Sequence, residues 1–62
     1  MAAIDTFNWF AERFYPTPDD ETRKYLHQER QYILSIRNEN ERLRYIDNLV
    51  KQVRDARKAS AV

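Results

Sequence analysis

The chain has 62 residues, no cysteine and no glycine, and its formal charge at pH 7 is only +1. This length allows one domain with a small core, which neither disulfides nor thiolate metal ligands can stabilise. Apolar residues make up 42% of the sequence, too many for a disordered segment, yet no apolar run approaches the about 20 residues that span a bilayer. We therefore expect one cytoplasmic domain, residues 1–62, without a membrane segment, metal or cofactor.

Acidic and basic residues are concentrated in different halves of the sequence. Residues 1–22 contain five acidic residues and one basic residue, a net charge of −4. Residues 23–62 contain ten basic and five acidic residues, a net charge of +5. Such an asymmetry is typical of proteins that bind nucleic acids or acidic partners. Helix dipoles and ion pairs between the two halves explain it equally well.

The first predicted helix, residues 4–15, contains an aromatic cluster. Five of the eight aromatic residues lie in the segment FNWFAERFY, and Asp5 or Thr6 is placed to cap the helix. Trp9 lies away from the apolar face, between Asp5 and Arg13. It either packs on Ile4 in a hydrophobic staple, packs against a neighbouring helix or remains available to a partner. The predicted apolar face consists of Ile4, Phe7, Phe10, Ala11, Phe14 and Tyr15.

The second predicted helix, residues 18–37, follows a segment that contains both prolines. Thr17 is a candidate N-cap, with Pro18 in the first helical position and acidic residues in the first turn. Glu29 lies within the apolar face and, if buried, needs a partner such as Arg13 or a tyrosine hydroxyl. His27 and Leu34 point away from this face. The residues predicted to form it are Tyr25, Leu26, Tyr32, Ile33 and Ile36.

The polar segment RNENER, residues 37–42, separates the second and third helices. Asn38 is a candidate N-cap, Glu41 would complete a capping box, and Asn tolerates the left-handed backbone that often ends a helix. The alternative is one helix of about 40 residues from Pro18 onward, which would have to dimerise to bury its apolar face. We favour a turn at residues 38–40, because the apolar face shifts around the helix axis between the two segments.

The third predicted helix, residues 40–58, has the most regular pattern. Its apolar face is wide, as is typical of a helix that contacts two neighbours. Together these elements predict an all-α fold, a small three-helix bundle in which a short aromatic helix packs on a longer antiparallel helical hairpin. Residues 59–62 are predicted to be frayed. The apolar face of the third helix consists of Leu43, Tyr45, Ile46, Leu49, Val50, Val53 and Ala56.

Catalytic chemistry has little support in this sequence. His27 is the only histidine, and it points away from Glu29 on the same helix, so the two cannot act on one substrate atom. A glycine-rich phosphate loop is impossible without glycine, and no metal-ligating pair has the spacing HxxxH or ExxH. We therefore predict that the protein is not an enzyme.

A nucleic-acid-binding regulator is one of two functional alternatives. Three short helices are compatible with a helix-turn-helix module, whose recognition helix enters the major groove. Acidic residues are interspersed with basic ones on the third helix, which weakens this interpretation. The polar side chains of that helix available to phosphates and bases are Arg44, Asn48, Lys51, Gln52 and Lys58.

The other alternative, which we favour, is protein binding. Trp, Tyr and Arg dominate the energy of many interfaces, and the chain has one Trp and four Tyr. We predict a protein-interaction module that acts as an adaptor, an assembly factor or a small inhibitor of a larger protein. A homodimer is a further possibility. The expected contacts are Trp9 as anchor, Leu34 and His27 as a second patch, and Arg42, Arg54 and Arg57 as charged contacts.

Overall fold

The computed structural model describes residues 2–60, and within that range the backbone forms three α-helices and no strand. Helix α1 is Ala3–Phe14, α2 is Asp20–Ser35 and α3 is Glu39–Ser60. Each helix packs against the other two, which confirms the predicted all-α three-helix bundle. None of these helices combines the length and the apolar character that crossing a bilayer requires.

Helix α1 begins earlier than predicted and has no side-chain cap. Its N-cap is Ala2, so Asp5 and Thr6 lie inside the helix and the prediction that either caps it is wrong. The backbone amide of Ala3 instead donates a hydrogen bond to the carboxylate of Glu39, at the start of α3. This acceptor is distant in sequence, so the start of α1 is determined by tertiary packing and not by a local capping signal.

The segment between α1 and α2 contains both prolines. Helix α1 ends before Tyr15, because a residue that precedes a proline is disfavoured in the helical region. Asp19, and not Thr17, is the N-cap of α2, and its carboxylate accepts a hydrogen bond from the amide of Thr22 at 2.8 Å. Hydrogen bonding to Thr22 holds the pKa of Asp19 below its usual value. Pro18 therefore precedes the helix, which corrects its predicted place in the first turn.

The predicted turn between α2 and α3 is confirmed, but the backbone conformation that ends α2 differs from the expected one. Asn38 caps α3, since its side-chain oxygen accepts from the amide of Glu41 at 3.1 Å. No residue of the described chain has a positive φ, so the left-handed conformation proposed for this turn is wrong. Instead Ile36 is extended, and the guanidinium of Arg42 donates to the carbonyl oxygens of Leu34 and Ile36.

The C-terminal end of the chain differs from its predicted state. Helix α3 continues through residues 59 and 60, which the sequence predicts to be frayed. The rest of the predicted frayed tail, residues 61 and 62, lies outside the described residues.

The core is built mainly on α1. The whole predicted face of this helix is either buried or packed against the buried residues. The prediction for α2 is only partly correct, because Tyr25 and Tyr32 are 37% and 53% exposed at the edge of the core. On α3, Leu43 and Ala56 are likewise exposed. The buried residues are Ala3, Phe7, Phe10, Ala11, Leu26, Ile33, Ile46 and Leu49.

Candidate functional site

Trp9 lies on the outer side of α1, where 59% of the residue is exposed. The guanidinium carbon of Arg13, one turn later, is 5.6 Å from the centre of the indole ring. This cation–π contact restricts the orientation of the ring without covering it. Because Asp5 is not an N-cap, the hydrophobic staple considered for Ile4 and Trp9 does not apply, and Ile4 packs against the core.

An open apolar groove of about 380 Å³ lies beside Trp9, between α1 and α3. Leu43, which the sequence placed in the core, is 40% exposed and lines this groove together with Trp9. We call this surface the α1–α3 groove. It brings the indole ring together with aliphatic side chains of another helix, a combination that sequence spacing alone does not reveal. The full lining consists of Thr6, Trp9, Leu43, Ile46, Asp47 and Val50.

One charged side chain lines the α1–α3 groove. Asp47 forms an ion pair with Lys51, one turn later on α3, at 3.4 Å, and both side chains are largely exposed. An exposed pair of this kind contributes less than about 1 kcal/mol, so either residue can exchange its partner for a charge on an incoming protein. The groove therefore has an apolar floor and a charged edge.

The second predicted patch is separate from the first. Leu34 and His27 are both exposed on α2, and neither lines the α1–α3 groove. The backbone carbonyl of Leu34 accepts from the side chain of Arg42, so this end of α2 is tied to α3. Trp9 is thus joined by Leu43 in one surface and not by Leu34.

The three arginines predicted as charged contacts have different environments. Arg42 is half-buried and pairs with Glu39 at 3.3 Å, in addition to its bonds to the end of α2. Arg57 donates to the carbonyl of Phe14 and lies over two aromatic rings at the end of α1. Arg54 is exposed, and its side chain makes no hydrogen bond or ion pair within the described residues. Both Arg42 and Arg57 therefore contribute to the fold itself.

The outer face of α3 contains the residues considered for nucleic acid. Arg44, Asn48, Lys51, Gln52 and Lys58 are all exposed. The acidic residues of α3 outside its N-terminal turn, Asp47 and Asp55, are exposed among them. Because Lys51 is already paired with Asp47, this face presents mixed charge and no continuous positive stripe.

A third surface, between α2 and α3, centres on Glu29. This half-buried carboxylate accepts a hydrogen bond from the hydroxyl of Tyr45, the second kind of partner that the sequence suggested. The ring of Tyr45 packs on that of Tyr32, with their centres 4.9 Å apart. Burial, followed by the hydrogen bond to Glu29, raises the pKa of the Tyr45 phenol well above its ordinary value. Burial and the charge of Glu29 also raise the pKa of Tyr25.

Stability is expected to depend on the protonation of Tyr45. The folded chain holds this phenolic proton more tightly than the unfolded chain does, so the associated stability is present below the unfolded pKa of 10.0 and is lost progressively above it. We expect the urea denaturation midpoint to fall more steeply above about pH 10 in the wild type than in Tyr45→Phe. At neutral pH this variant should lose about 1 kcal/mol, because one hydrogen bond is removed. If the denaturation midpoint falls equally with pH in the wild type and in Tyr45→Phe, the proton of Tyr45 does not contribute to this loss of stability.

Similarity to known proteins does not identify these surfaces. Comparison of the chain with protein-family models, with curated proteins and with solved structures finds no significant match. Within residues 2–60, no group of three or more His, Cys, Asp or Glu side chains is arranged to hold a metal ion.

Proposed function

We propose that this chain is a non-enzymatic protein-interaction module that binds a larger protein through the α1–α3 groove, with Trp9 as its anchor. The observation that carries the proposal is the exposed indole ring, oriented by Arg13 at the edge of an apolar groove. In this arrangement the ring projects from the surface and the groove beside it receives side chains of the partner. The module would act in the cytoplasm as an adaptor, assembly factor or inhibitor.

The exposed part of Trp9 is large enough to dominate an interface. With 59% of the residue exposed, roughly 150 Å² of mainly apolar surface remains to be buried by a partner. At about 25 cal/mol per Å², this burial supplies about 3–4 kcal/mol before the costs of association. Central aromatic residues surrounded by charged rims have this role in many interfaces. Arg13 and Asp47 are available here as rim charges.

Trp9→Ala is expected to weaken partner binding by about 2 kcal/mol, or about thirtyfold in Kd, with little change in melting temperature. The partner is first captured in parallel by the wild type and by two variants, Trp9→Ala and Leu34→Ala. A protein retained by the wild type is then purified, whether or not the variants retain it, and its Kd for each form is measured by calorimetric titration.

Leu34→Ala is the matched control, since it removes an exposed apolar side chain outside the α1–α3 groove. Leu43→Asp, inside the groove, is expected to reduce affinity as Trp9→Ala does. The proposal fails if the purified partner binds Trp9→Ala with unchanged affinity. Loss of affinity in Leu34→Ala and His27→Ala instead would move the interface to the second patch on α2.

Two other occupants of the surface are distinguished by simple measurements. Sedimentation over a wide concentration range reports whether the chain forms a homodimer. If a second copy covers the groove, Trp9→Ala would dissociate that homodimer. Binding of duplex DNA with a steep dependence on salt would instead support the helix-turn-helix-like alternative. In that case Arg44→Ala and Lys51→Ala would reduce the affinity and Trp9→Ala would not.

A further inference from the structure

Three of the four tyrosines surround one carboxylate on the side of the bundle formed by α2 and α3. Tyr25, Glu29 and Tyr32 are spaced i, i+4 and i+7 on α2 and therefore share one face of that helix. Tyr45 of α3 completes the group, because its hydroxyl donates to Glu29 and its ring packs on that of Tyr32. We call these four residues the tyrosine–carboxylate cluster.

Glu29 is a half-buried carboxylate that forms no ion pair in the part of the chain that the structure describes. The carboxylates of Asp20, Glu39 and Asp47, in contrast, each pair with a basic side chain. Arg30, the next residue in sequence, directs its guanidinium to the side-chain oxygen of Asn8 on α1, at 3.0 Å. A half-buried carboxylate is normally paired, since partial removal from water is unfavourable for its charge.

The carboxylate retains the capacity to accept further hydrogen bonds. An ionised carboxylate offers about four acceptor positions on its two oxygens. The Tyr45 hydroxyl occupies one of these positions, on Oε2. Every side-chain oxygen or nitrogen in the described structure that is fully buried has a hydrogen-bond partner, so an oxygen without a partner is in contact with solvent. The other oxygen of Glu29 is therefore accessible to an incoming donor.

The aromatic rings around Glu29 are also accessible. Tyr25 and Tyr32 are both among the exposed large side chains of the protein. The faces of aromatic rings carry negative potential and attract cations, and a neighbouring carboxylate adds to that attraction. Next to Tyr45, a shallow depression of about 200 Å³ is lined by the uncharged side chains of Asn48, Leu49 and Gln52. None of the residues that line this depression is charged.

We propose that the tyrosine–carboxylate cluster is a binding site for an arginine side chain of a protein partner. A guanidinium group is planar. Its face stacks on a tyrosine ring while its N–H groups, which lie in the guanidinium plane, donate hydrogen bonds to a carboxylate at its edge. A lysine ammonium group satisfies the charge but cannot stack, and it binds less tightly. The cluster shares no residue with the α1–α3 groove, so this proposal is independent of the role of Trp9.

The test uses N-acetylarginine amide as the probe and NMR spectra of the ¹³C-labelled tyrosine rings as the readout. We expect saturable shifts of Tyr25, Tyr32 and Tyr45 with a millimolar Kd. N-acetyllysine amide should bind more weakly by about threefold or more. N-acetylcitrulline amide, which has nearly the shape of the arginine probe but no charge, should produce no saturable shifts.

Two variants, one of the carboxylate and one of an aromatic ring, make the test specific. Glu29→Gln removes the charge with little change in shape and should weaken arginine binding by about tenfold. Tyr32→Leu replaces an exposed ring and should weaken binding by about threefold, even if Glu29→Gln proves unstable. Glu12→Gln is the matched control for charge, because Glu12 is an exposed carboxylate on α1.

The outcomes separate specific binding from general attraction of cations. Binding that is reduced in Glu29→Gln and Tyr32→Leu but retained in Glu12→Gln and Trp9→Ala supports the proposal. Equal shifts with the arginine and citrulline probes would overturn it, as would equal losses in Glu29→Gln and Glu12→Gln. The absence of saturable shifts would also overturn it. Because Trp9→Ala is included, failure here is distinguishable from failure of the α1–α3 groove as the main interface.

Discussion

Phe10→Ala is expected to leave the chain largely unfolded at room temperature. Phe10 is fully buried, and its ring centre lies 4.8 Å from that of Phe14 and 6.1 Å from that of Tyr15. Removing a buried phenylalanine ring costs about 3–5 kcal/mol through lost burial and the cavity that remains. The single core of a domain as small as 62 residues rarely supplies more than about 3–5 kcal/mol of stability. The substitution therefore removes most or all of the free energy of unfolding.

Circular dichroism during thermal denaturation measures this effect directly. The wild type should show a cooperative loss of helix, and Phe10→Ala should show low helicity already at the start of the scan. Phe10→Leu is the conservative control and should remain folded with a reduced melting temperature. Trp9→Ala is the positional control, because it removes an adjacent aromatic residue that is exposed. A melting temperature of Phe10→Ala within a few degrees of the wild type would mean that Phe10 is not central to the core.

Arg57→Ala is expected to destabilise the fold by about 2–3 kcal/mol, although Arg57 lies near the C-terminal end of α3. Its guanidinium donates to the backbone carbonyl of Phe14, where α1 ends. The same group lies 5.0 Å from the centre of the Phe14 ring and 5.2 Å from that of Tyr15. One charged hydrogen bond and two cation–π contacts thus connect α3 to the end of α1.

Arg54→Ala is the matched control, since Arg54 lies one turn earlier on α3 and is exposed. Its substitution should change the free energy of unfolding by less than about 0.5 kcal/mol. Arg57→Lys should recover part of the stability, because lysine keeps the charge but not the planar group. Equal stabilities of Arg57→Ala and Arg54→Ala in urea denaturation would show that the Arg57 contacts contribute nothing measurable.

Helical periodicity in the sequence was sufficient to predict the three-helix fold. The apolar face of α1 follows from spacing alone, because a helix with three phenylalanines on one side has to bury that side. The turn before α3 follows from Asn38, whose side chain makes the predicted cap. These features depend on residues close together in the chain, which is why sequence patterns reveal them.

Features that depend on contacts between helices could not be predicted in this way. The start of α1 is fixed by Glu39, and the end of α2 by Arg42, both contributed by a different helix. Angular position on α2 placed Tyr25 and Tyr32 on the inner side, but only the position of α3 determines how far each ring is covered. Long arginine side chains reach neighbouring helices in directions that helix periodicity does not report.

The α1–α3 groove has one part on α1, at Trp9, and one on α3, at Leu43, and the sequence singled out only Trp9. The position of Trp9 outside the apolar face of α1 left open whether the ring is covered or available to a partner, and the structure shows that most of it is exposed. The presence of Leu43 beside it depends on how α1 packs against α3. The same limitation applies to the tyrosine–carboxylate cluster, whose residues come from α2 and α3 and are contiguous only after folding.

The uneven burial along α3 has a consequence for local opening of the helix. Ile46 and Leu49 anchor its central part in the core, whereas every described residue from 54 to 60 is exposed. Amide protons near Ile46 should exchange with solvent only when the whole domain unfolds, while those after Arg57, which is held to the end of α1, exchange through local fraying of the last turn. Helix α3 is continuous in structure, but its stability is lower at its C-terminal end, so the last turn can open and close while the surfaces around Trp9 and Glu29 remain intact.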